Sequence, residues 1–564
     1  MINFIKKNRV AIILICIAIL SRLVIAFLPP VDLLYSIDER IMNDSTLLLF
    51  TNSTPTCLEW PATTLMIPLF IISFVTMLLH TSFLSSILHF DMIKISDAIN
   101  THLYYYFNHV DLITAGRILI AITGLVSFFF IFRFLKMEKK EFAYFFAFLY
   151  TVSPAFIIQS WVLHPDSVAV VFWTLFLLYY IFRFDLANDK SIVILASLFA
   201  LLAASKFTYI ISSPILLLSL IFFNFKKLGW LLTIKQTIKF IIISGIFLMA
   251  LFPFLWTDSI TFAKGFFGNI FMKSSGKGNS LGLLLTDYLP SLITYPGLIL
   301  SLVGLGLSFS KIGKSKTIFL IAIFLLFAYP IANASQTYER YSLALLPMLM
   351  VWSAFGFAYL IEKIKNPLFL KTVITLIIIL SSVQSANSVW KDFRSYHTQN
   401  NFVACRAWLI QNLQPDVKIA LPVSYEGYFY ENRNCLDRII QRNSDSLLIA
   451  GKLQTQILPA YKNKPLNVRA VILEDLFLDE KKYLDQKFRV KYDFVSSHSV
   501  PGKAFDIYYY SEKDFASLHC FKYDEAMKDP AVKYFLTENK PEQNLKVMEK
   551  FDRSEGTPYY LYSK

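Results

Sequence analysis

Two adjacent carboxylates, Asp38 and Glu39, stand in the stretch Tyr35-Ser36-Ile37-Asp38-Glu39-Arg40, a few residues after the Pro29-Pro30 pair that ends a long apolar run. A carboxylate pair of this kind can supply a general base and a neighbour that orients a substrate or ligates a metal. A solvated charge pair with Arg40 has the same sequence signature. A second acid lies in Trp161-Val162-Leu163-His164-Pro165-Asp166-Ser167, a short connection between two apolar runs. Asp166 reads as the N-cap of the following helix, a role that would also hold its carboxylate in place. His164 can carry a proton or a metal, or make only a local hydrogen bond.

Cations accompany these acids. Arg117 opens one apolar run, Lys206 follows another, and Arg340 follows Tyr338-Glu339 ahead of Pro347. Lys and Arg side chains so placed can hold a phosphate or snorkel to ordinary lipid headgroups. The glycine-rich stretch Gly265–Asn279 carries Lys273 and Lys277 but lacks the Gly-Lys-Ser/Thr order of a phosphate-binding loop. It is therefore excluded as a nucleotide site.

The elements that must position these residues follow from composition. The 564-residue chain is 55% hydrophobic and only 17% charged, against about 25% charged in ordinary soluble domains. Its mean hydropathy is +0.51. Such a chain is neither disordered nor, with five cysteines, a disulfide-dense secreted module. The sequence predicts apolar spans at Ile12–Leu28, Ile118–Phe134, Phe142–Phe156, Val168–Phe182, Ile192–Ala203, Ile210–Phe225, Ile241–Trp256, Pro296–Phe309, Ile318–Ala332, Leu343–Ile361 and Leu368–Val383. A spanning helix needs about 20 mostly apolar residues. The expected fold is thus an α-helical polytopic membrane protein with about 11 transmembrane helices.

The formal charge of +14 is the next clue. From Val389 onward 26 basic residues face 23 acidic ones, so the excess lies in the apolar part. There, alternate loops carry 19 Lys and Arg against 7 on the opposite side, with Arg22 and Arg117 in or at the edge of spans. This bias fits a cytoplasmic N-terminus and leaves nucleic acid unneeded as a partner. Leu65–Leu79 is also apolar, yet counting it as a span would invert every later loop. It is expected to lie on the outer membrane face, preceded by Pro61 and interrupted by Pro68, within an outer loop of residues 30–115. The first run lacks a small-residue cleavage site and reads as a retained span.

The predicted division is a membrane domain of residues 1–388 and an extracytoplasmic α/β domain of residues 389–564. The latter rests on an amphipathic stretch at Asn401–Leu413 and strand-like runs at Lys418–Val423, Ala470–Leu473, Val490–Val495 and Phe505–Tyr510. Cys405 and Cys435 can form a disulfide in such a compartment or remain thiols.

Taken in order, these residues resemble a C-type glycosyltransferase of the dolichyl-phosphate-mannose–protein mannosyltransferase and aminoarabinose transferase group. The likeness rests on Asp38-Glu39, Trp60-Pro61, Ala115-Gly116-Arg117 with Gly124, and Tyr150-Thr151-Val152-Ser153-Pro154. It continues through His164-Pro165-Asp166-Ser167, Ala203-Ala204-Ser205-Lys206 and Tyr338-Glu339-Arg340-Tyr341 with Pro347. It spans roughly residues 5–360. The first-loop motif departs from the aminoarabinose enzymes, which continue with Ala and an aromatic residue where Arg40 stands here.

The resemblance implies transfer of a sugar, with inversion, from a polyprenyl-phosphate donor to an acceptor hydroxyl on a lipid, glycan or protein. Asp38 would be the base, and Glu39 would orient the acceptor or a metal. His164 and Asp166 would line the donor pocket, and Arg117, Lys206 and Arg340 would neutralise the phosphate. A divalent metal is an open possibility, with Glu39 and Asp166 as candidate ligands. The implied setting is a bacterial inner membrane, the C-terminal domain being periplasmic and membrane lipids the surroundings. The alternative is a secondary transporter or lipid flippase, which calls for broken helices and ionisable groups near mid-membrane. A non-catalytic membrane scaffold is the third reading.

Overall fold

A computed structural model describes residues 9–24, 62–80, 111–136, 140–252, 280–333 and 339–394, isolated positions between 39 and 49, and Asn412 with eight strands beyond residue 417. The chain forms two compact units. One comprises residues 1–29, 57–69 and 115–392, and the other residues 30–56, 70–114 and 393–564.

The first unit is helical. Its elements are α1 (Arg9–Ile19), continued by a π-helical turn at Leu20–Val24, the start of α2 (Thr63–His80), most of α3 (Asp111–Lys136), α4 (Lys140–Val152), α5 (Pro154–Gln159), α6 (Pro165–Phe182) and α7 (Asp189–Ser205). A 3-10 turn at Phe207–Ser212 leads into α8 (Ser213–Leu228) and α9 (Trp230–Leu251). Then come α10 (Leu289–Lys311), α11 (Lys314–Asn333), a 3-10 segment at Glu339–Leu345, α12 (Leu346–Lys363) and α13 (Pro367–Arg394).

Among the described residues, eight helices are long and apolar enough to cross a membrane. The remaining three expected spans come out shorter or broken. The α1 run bears its π-turn, α7 has 17 residues, and the Phe142–Phe156 run is divided between α4 and α5. The division has a local cause. Proline disfavours the helical conformation in the residue before it, and Ser153, ahead of Pro154, takes φ −58°, ψ 111° and caps α5 through its side chain. The Pro68 interruption does not occur, since α2 runs through that residue from Thr63 to His80. Its start is fastened to the end of α7, where the Thr63 hydroxyl donates to the Ala204 carbonyl (3.2 Å) and the Thr64 and Ser205 hydroxyls lie 2.7 Å apart.

Burial separates the helices. Helices α4, α6 and α12 are apolar nearly all round and form the core, as a helix enclosed by others must. Helices α9 and α13 expose Leu231, Ile242, Leu368, Phe369 and Leu380. An apolar surface of that kind is the expected lipid-facing side of an integral membrane protein. The tightest helix pair is α10 with α12. A Cβ at Gly304 would run into the Trp352 carbonyl, one at Gly356 into the Leu300 carbonyl, and the Ser353 hydroxyl donates to the Gly297 carbonyl at 2.7 Å. Small residues let membrane helices approach this closely, where packing and interhelical hydrogen bonds replace the hydrophobic drive.

Helix α10 is itself broken. Thr294 has φ 63°, ψ 162°, and its hydroxyl contacts the Ser381 hydroxyl of α13 at 2.9 Å. The Tyr295 amide, freed by the break, donates to the Gln384 side chain at 2.8 Å. Unwound backbone at membrane depth persists only where such partners exist.

In the second unit, six strands form one sheet in the order β5-β4-β1-β6-β8-β7. They are β1 (Lys418–Pro422), β4 (Asp506–Ser511), β5 (Phe521–Lys522), β6 (Tyr534–Thr537), β7 (Lys546–Phe551) and β8 (Tyr559–Ser563). β1 is flanked by parallel neighbours, and β7 and β8 pair antiparallel. β2 (Val471–Leu473) and β3 (Val490–Tyr492) form a separate antiparallel pair. The four strands expected from sequence coincide with β1 to β4. The amphipathic stretch Asn401–Leu413, apart from Asn412, and Cys405 and Cys435 lie outside the described residues.

Candidate active site

Three chain segments converge on the Asp166 carboxylate. Pro165 begins α6, where its missing N–H is harmless, and it forces His164 into extended backbone at φ −142°, ψ 143°. This makes His164 the N-cap, so Asp166 is a first-turn residue and not the cap expected from sequence. A carboxylate in a first turn also faces the positive end of the helix. The whole connection from Trp161 to Ser167 is buried, and the Ser167 hydroxyl closes it by donating to the Gln159 carbonyl.

Lys206 arrives from the end of α7, where its own amide donates to the Leu202 carbonyl at 3.0 Å and its side chain turns inward. Its Nζ is ion-paired with Asp166 Oδ1. Arg340 arrives from the 3-10 segment before α12, with Nε 3.9 Å from Asp166 Oδ2 and its side chain 17% exposed. That segment is tied to α6 further in, where Trp173 Nε1 donates to the Ala344 carbonyl at 2.9 Å. The Tyr341 ring lies 5.1 Å from Lys206 Nζ and 5.5 Å from the Arg340 guanidinium, within cation–π range of both.

His164 completes the group. Its Nδ1 caps the Asp166 amide at 3.3 Å as an acceptor and meets Asp166 Oδ2 at 2.8 Å as a donor. These roles belong to two tautomers, and the shorter contact to an anion favours the Nδ1–H form. Burial pushes the imidazole below its usual value; the Asp166 carboxylate opposes this, and Arg340 and Lys206 add to the lowering. His164 is therefore neutral at neutral pH, and among the described residues two cations face the Asp166 carboxylate.

A stability prediction follows. A histidine whose folded value is below its unfolded value of about 6.5 contributes fully above that pH and less as the pH falls through the interval between the two. The thermal midpoint of the intact protein is expected to drop between pH 7.5 and 5.5. His164→Gln should flatten the drop, and an unchanged profile in that variant would refute the assignment.

The structure thus brings together four of the residues singled out from sequence: His164, Asp166, Lys206 and Arg340. Arg117 is buried on α3, beside Gly116, whose Cβ position is filled by the Leu163 side chain. It is not among the ionic partners of Asp166, which are Lys206, His164 and Arg340. Glu39 is buried in the other unit, and Asp38 lies outside the described residues. A divalent cation does not fit at Asp166. Oδ1 is ion-paired with Lys206, Oδ2 lies 3.9 Å from Arg340 Nε, and a divalent cation placed there would meet both cations at close range. Among the described residues no three His, Cys, Asp or Glu side chains gather to hold a metal.

Sequence reasoning missed two participants. Tyr341 sits between the two cations, and only its place beside Arg340 pointed to it. Arg22 reads as one more basic residue in a span, yet its side chain is completely buried.

No protein-family profile matches the chain, and no curated protein matches it by sequence. Solved structures do match. One is the archaeal oligosaccharyltransferase AglB from Archaeoglobus fulgidus, in complex with an inhibitory peptide and a dolichol-phosphate. The identity is 11% and the TM-score 0.43, over 74% of this chain and 62% of that one. Another is ArnT from Cupriavidus metallidurans bound to undecaprenyl phosphate. There the identity is 10% and the TM-score 0.43, over 74% of this chain and 82% of that one. Both are of the C-type glycosyltransferase group that the sequence resembles. The match spans about three fifths of the archaeal enzyme's length.

Proposed function

We propose that the protein is a membrane glycosyltransferase that moves a sugar from a polyprenyl-phosphate donor to an acceptor hydroxyl on the outer face of a bacterial inner membrane. The observation that carries this reading is the buried Asp166 carboxylate held by Lys206, His164 and Arg340 from three segments. Among the described residues the set has two cations on one carboxylate, a local positive excess that suits a phosphate diester or monoester. Desolvated cations fixed before the reaction stabilise charge that develops on a leaving phosphate.

In this reading Lys206 and Arg340, with Arg117, hold the phosphate. Asp166 and His164 keep them in place and line the donor pocket. Asp38 takes the proton of the acceptor hydroxyl, whose oxygen bonds to the anomeric carbon from the face opposite the phosphate. The carbon–oxygen bond to the phosphate breaks, and lipid phosphate leaves with the electron pair. Glu39 orients the acceptor. Residues 1–388 are the catalytic domain, and residues 389–564 are an extracytoplasmic domain.

One observation favours the transporter or flippase reading, namely the break in α10 at Thr294. The acid and cations gather elsewhere, at the start of α6, the end of α7 and the entry to α12, so the enzyme is the better account.

Purified full-length protein in lipid nanodiscs, given a panel of polyprenyl-phosphate sugars, is expected to release polyprenyl phosphate in the presence of an acceptor. Transbilayer movement of the intact donor without release would establish the alternative. Asp38→Asn should abolish transfer while leaving insertion and thermal midpoint unchanged. Full transfer in that variant would remove Asp38 from the mechanism.

A further inference from the structure

Arg22 lies in the π-helical turn that ends α1, and its side chain is completely buried. A π-turn inserts one extra residue into a helix and redirects the side chains that follow, often at functional positions. The guanidinium bridges the last turn of α4 and the residue that caps the C-terminus of α5. One terminal nitrogen donates to the Tyr150 carbonyl at 2.6 Å and the other to the Ser160 hydroxyl at 3.4 Å. The charge is covered by the rings of Phe156 and Tyr150, at 4.4 and 5.1 Å. Its stem passes over Gly124 of α3, where a Cβ would come within 3.2 Å of Arg22 Cδ and 3.3 Å of Nε.

Among the described residues Arg22 has no carboxylate partner, and its Nε is buried without a hydrogen-bond acceptor. A charge in such a place is expensive, and a neutral residue would fill the same space at lower cost. What the charge does is visible in its contacts. It clamps the Tyr150 carbonyl in the last turn of α4 to the hydroxyl of Ser160, the residue that begins the buried connection to His164 and Asp166.

We infer that Arg22 is a positioning residue for the donor site: it fixes the Ser160–Asp166 connection, and through it the place of His164 and Asp166, without touching the substrate. The inference rests on the proposed phosphate site but is tested apart from it. A lysine does not reproduce the clamp, because the planar guanidinium spans two separated acceptors with different nitrogens and lies against both rings, whereas an ammonium is a compact point charge.

The test uses the full-length protein in nanodiscs with two readouts. The first is the affinity for undecaprenyl phosphate, added alone. The second is the pH dependence of the thermal midpoint without lipid phosphate, whose acid-side fall reports His164 among its neighbours Asp166, Lys206 and Arg340. Arg22→Lys and Arg22→Gln are both expected to weaken lipid-phosphate binding about tenfold or more and to displace the acid-side fall. Gly124→Ala, which keeps Arg22 but presses on its stem, should do the same to a smaller degree. If wild-type protein binds no undecaprenyl phosphate, the phosphate reading fails, and the pH profile still decides the role of Arg22. Should Arg22→Lys and Arg22→Gln not fold, Gly124→Ala carries both readouts. A folded variant with the wild-type pH profile and the wild-type affinity overturns the inference.

Discussion

Gly304→Ala is expected to break the packing of α10 against α12 and to lower the yield of monodisperse protein sharply. A single added methyl would overlap the Trp352 carbonyl, and this obstacle is backbone, which cannot turn aside as a side chain can. Overpacking a core typically costs 1–3 kcal/mol; here the helices themselves must separate, so about 3 kcal/mol or more is expected. Separation would also pull the Ser353 hydroxyl from the Gly297 carbonyl. Gly306→Ala is the control on the same helix, because nothing lies within 4 Å of its Cβ position. It should leave the thermal midpoint unchanged or slightly raised, since alanine is the better helix former. Equal midpoints for the two variants would show that α10 and α12 do not pack as described.

The second large effect is expected from Asp166→Asn. The change keeps the shape of the side chain and removes its charge, depriving Lys206 and Arg340 of the carboxylate they share. Removing one partner of a buried ion pair costs about 3–5 kcal/mol, because the other charge is left uncompensated. Lipid-phosphate affinity is expected to change as well, and the direction is informative. If Asp166 serves only to balance charge, added positive potential would tighten binding. If it positions Lys206, binding and transfer should fall about 100-fold or more, as when a charge-stabilising group is lost from an active site. The structure supports the second outcome, since Lys206 Nζ is ion-paired to Oδ1 and Oδ2 is shared with His164. Lys206→Met in the same chain should recover part of the stability lost in Asp166→Asn, because the remaining charges are then fewer. A double-mutant cycle on thermal stability measures that coupling. Strict additivity of the two changes would mean that they do not interact.

The spans and the acid–cation set could be read from sequence for different reasons. A long apolar run between basic loops is a local signal, so most helices were expected close to where they lie. The breaks were harder to see. Pro154 ends α4 at Ser153, whereas Pro68 and Pro330 sit inside α2 and α11. Proline inside a helix only removes one N–H and crowds one turn, and neighbouring side chains decide whether that is tolerated. The break at Thr294 lies two residues ahead of Pro296, but its partners Ser381 and Gln384 are nearly ninety positions away.

By itself the sequence determined that this is a membrane chain, that its excess positive charge lies in the apolar part, and that acids and cations recur at the ends of apolar runs. Those properties depend on composition and on neighbours in the chain. Only the tertiary structure decided which of the charges meet. It joined His164, Asp166, Lys206 and Arg340, separated by up to 176 positions, and among the described residues Arg117 is not an ionic partner of Asp166. It also turned Arg22 from a topological count into a buried clamp. The physical reason is the same in each case. A charge in an apolar bundle is tolerated only beside a partner that offsets its lost hydration, and the packing of distant helices determines which partner that is.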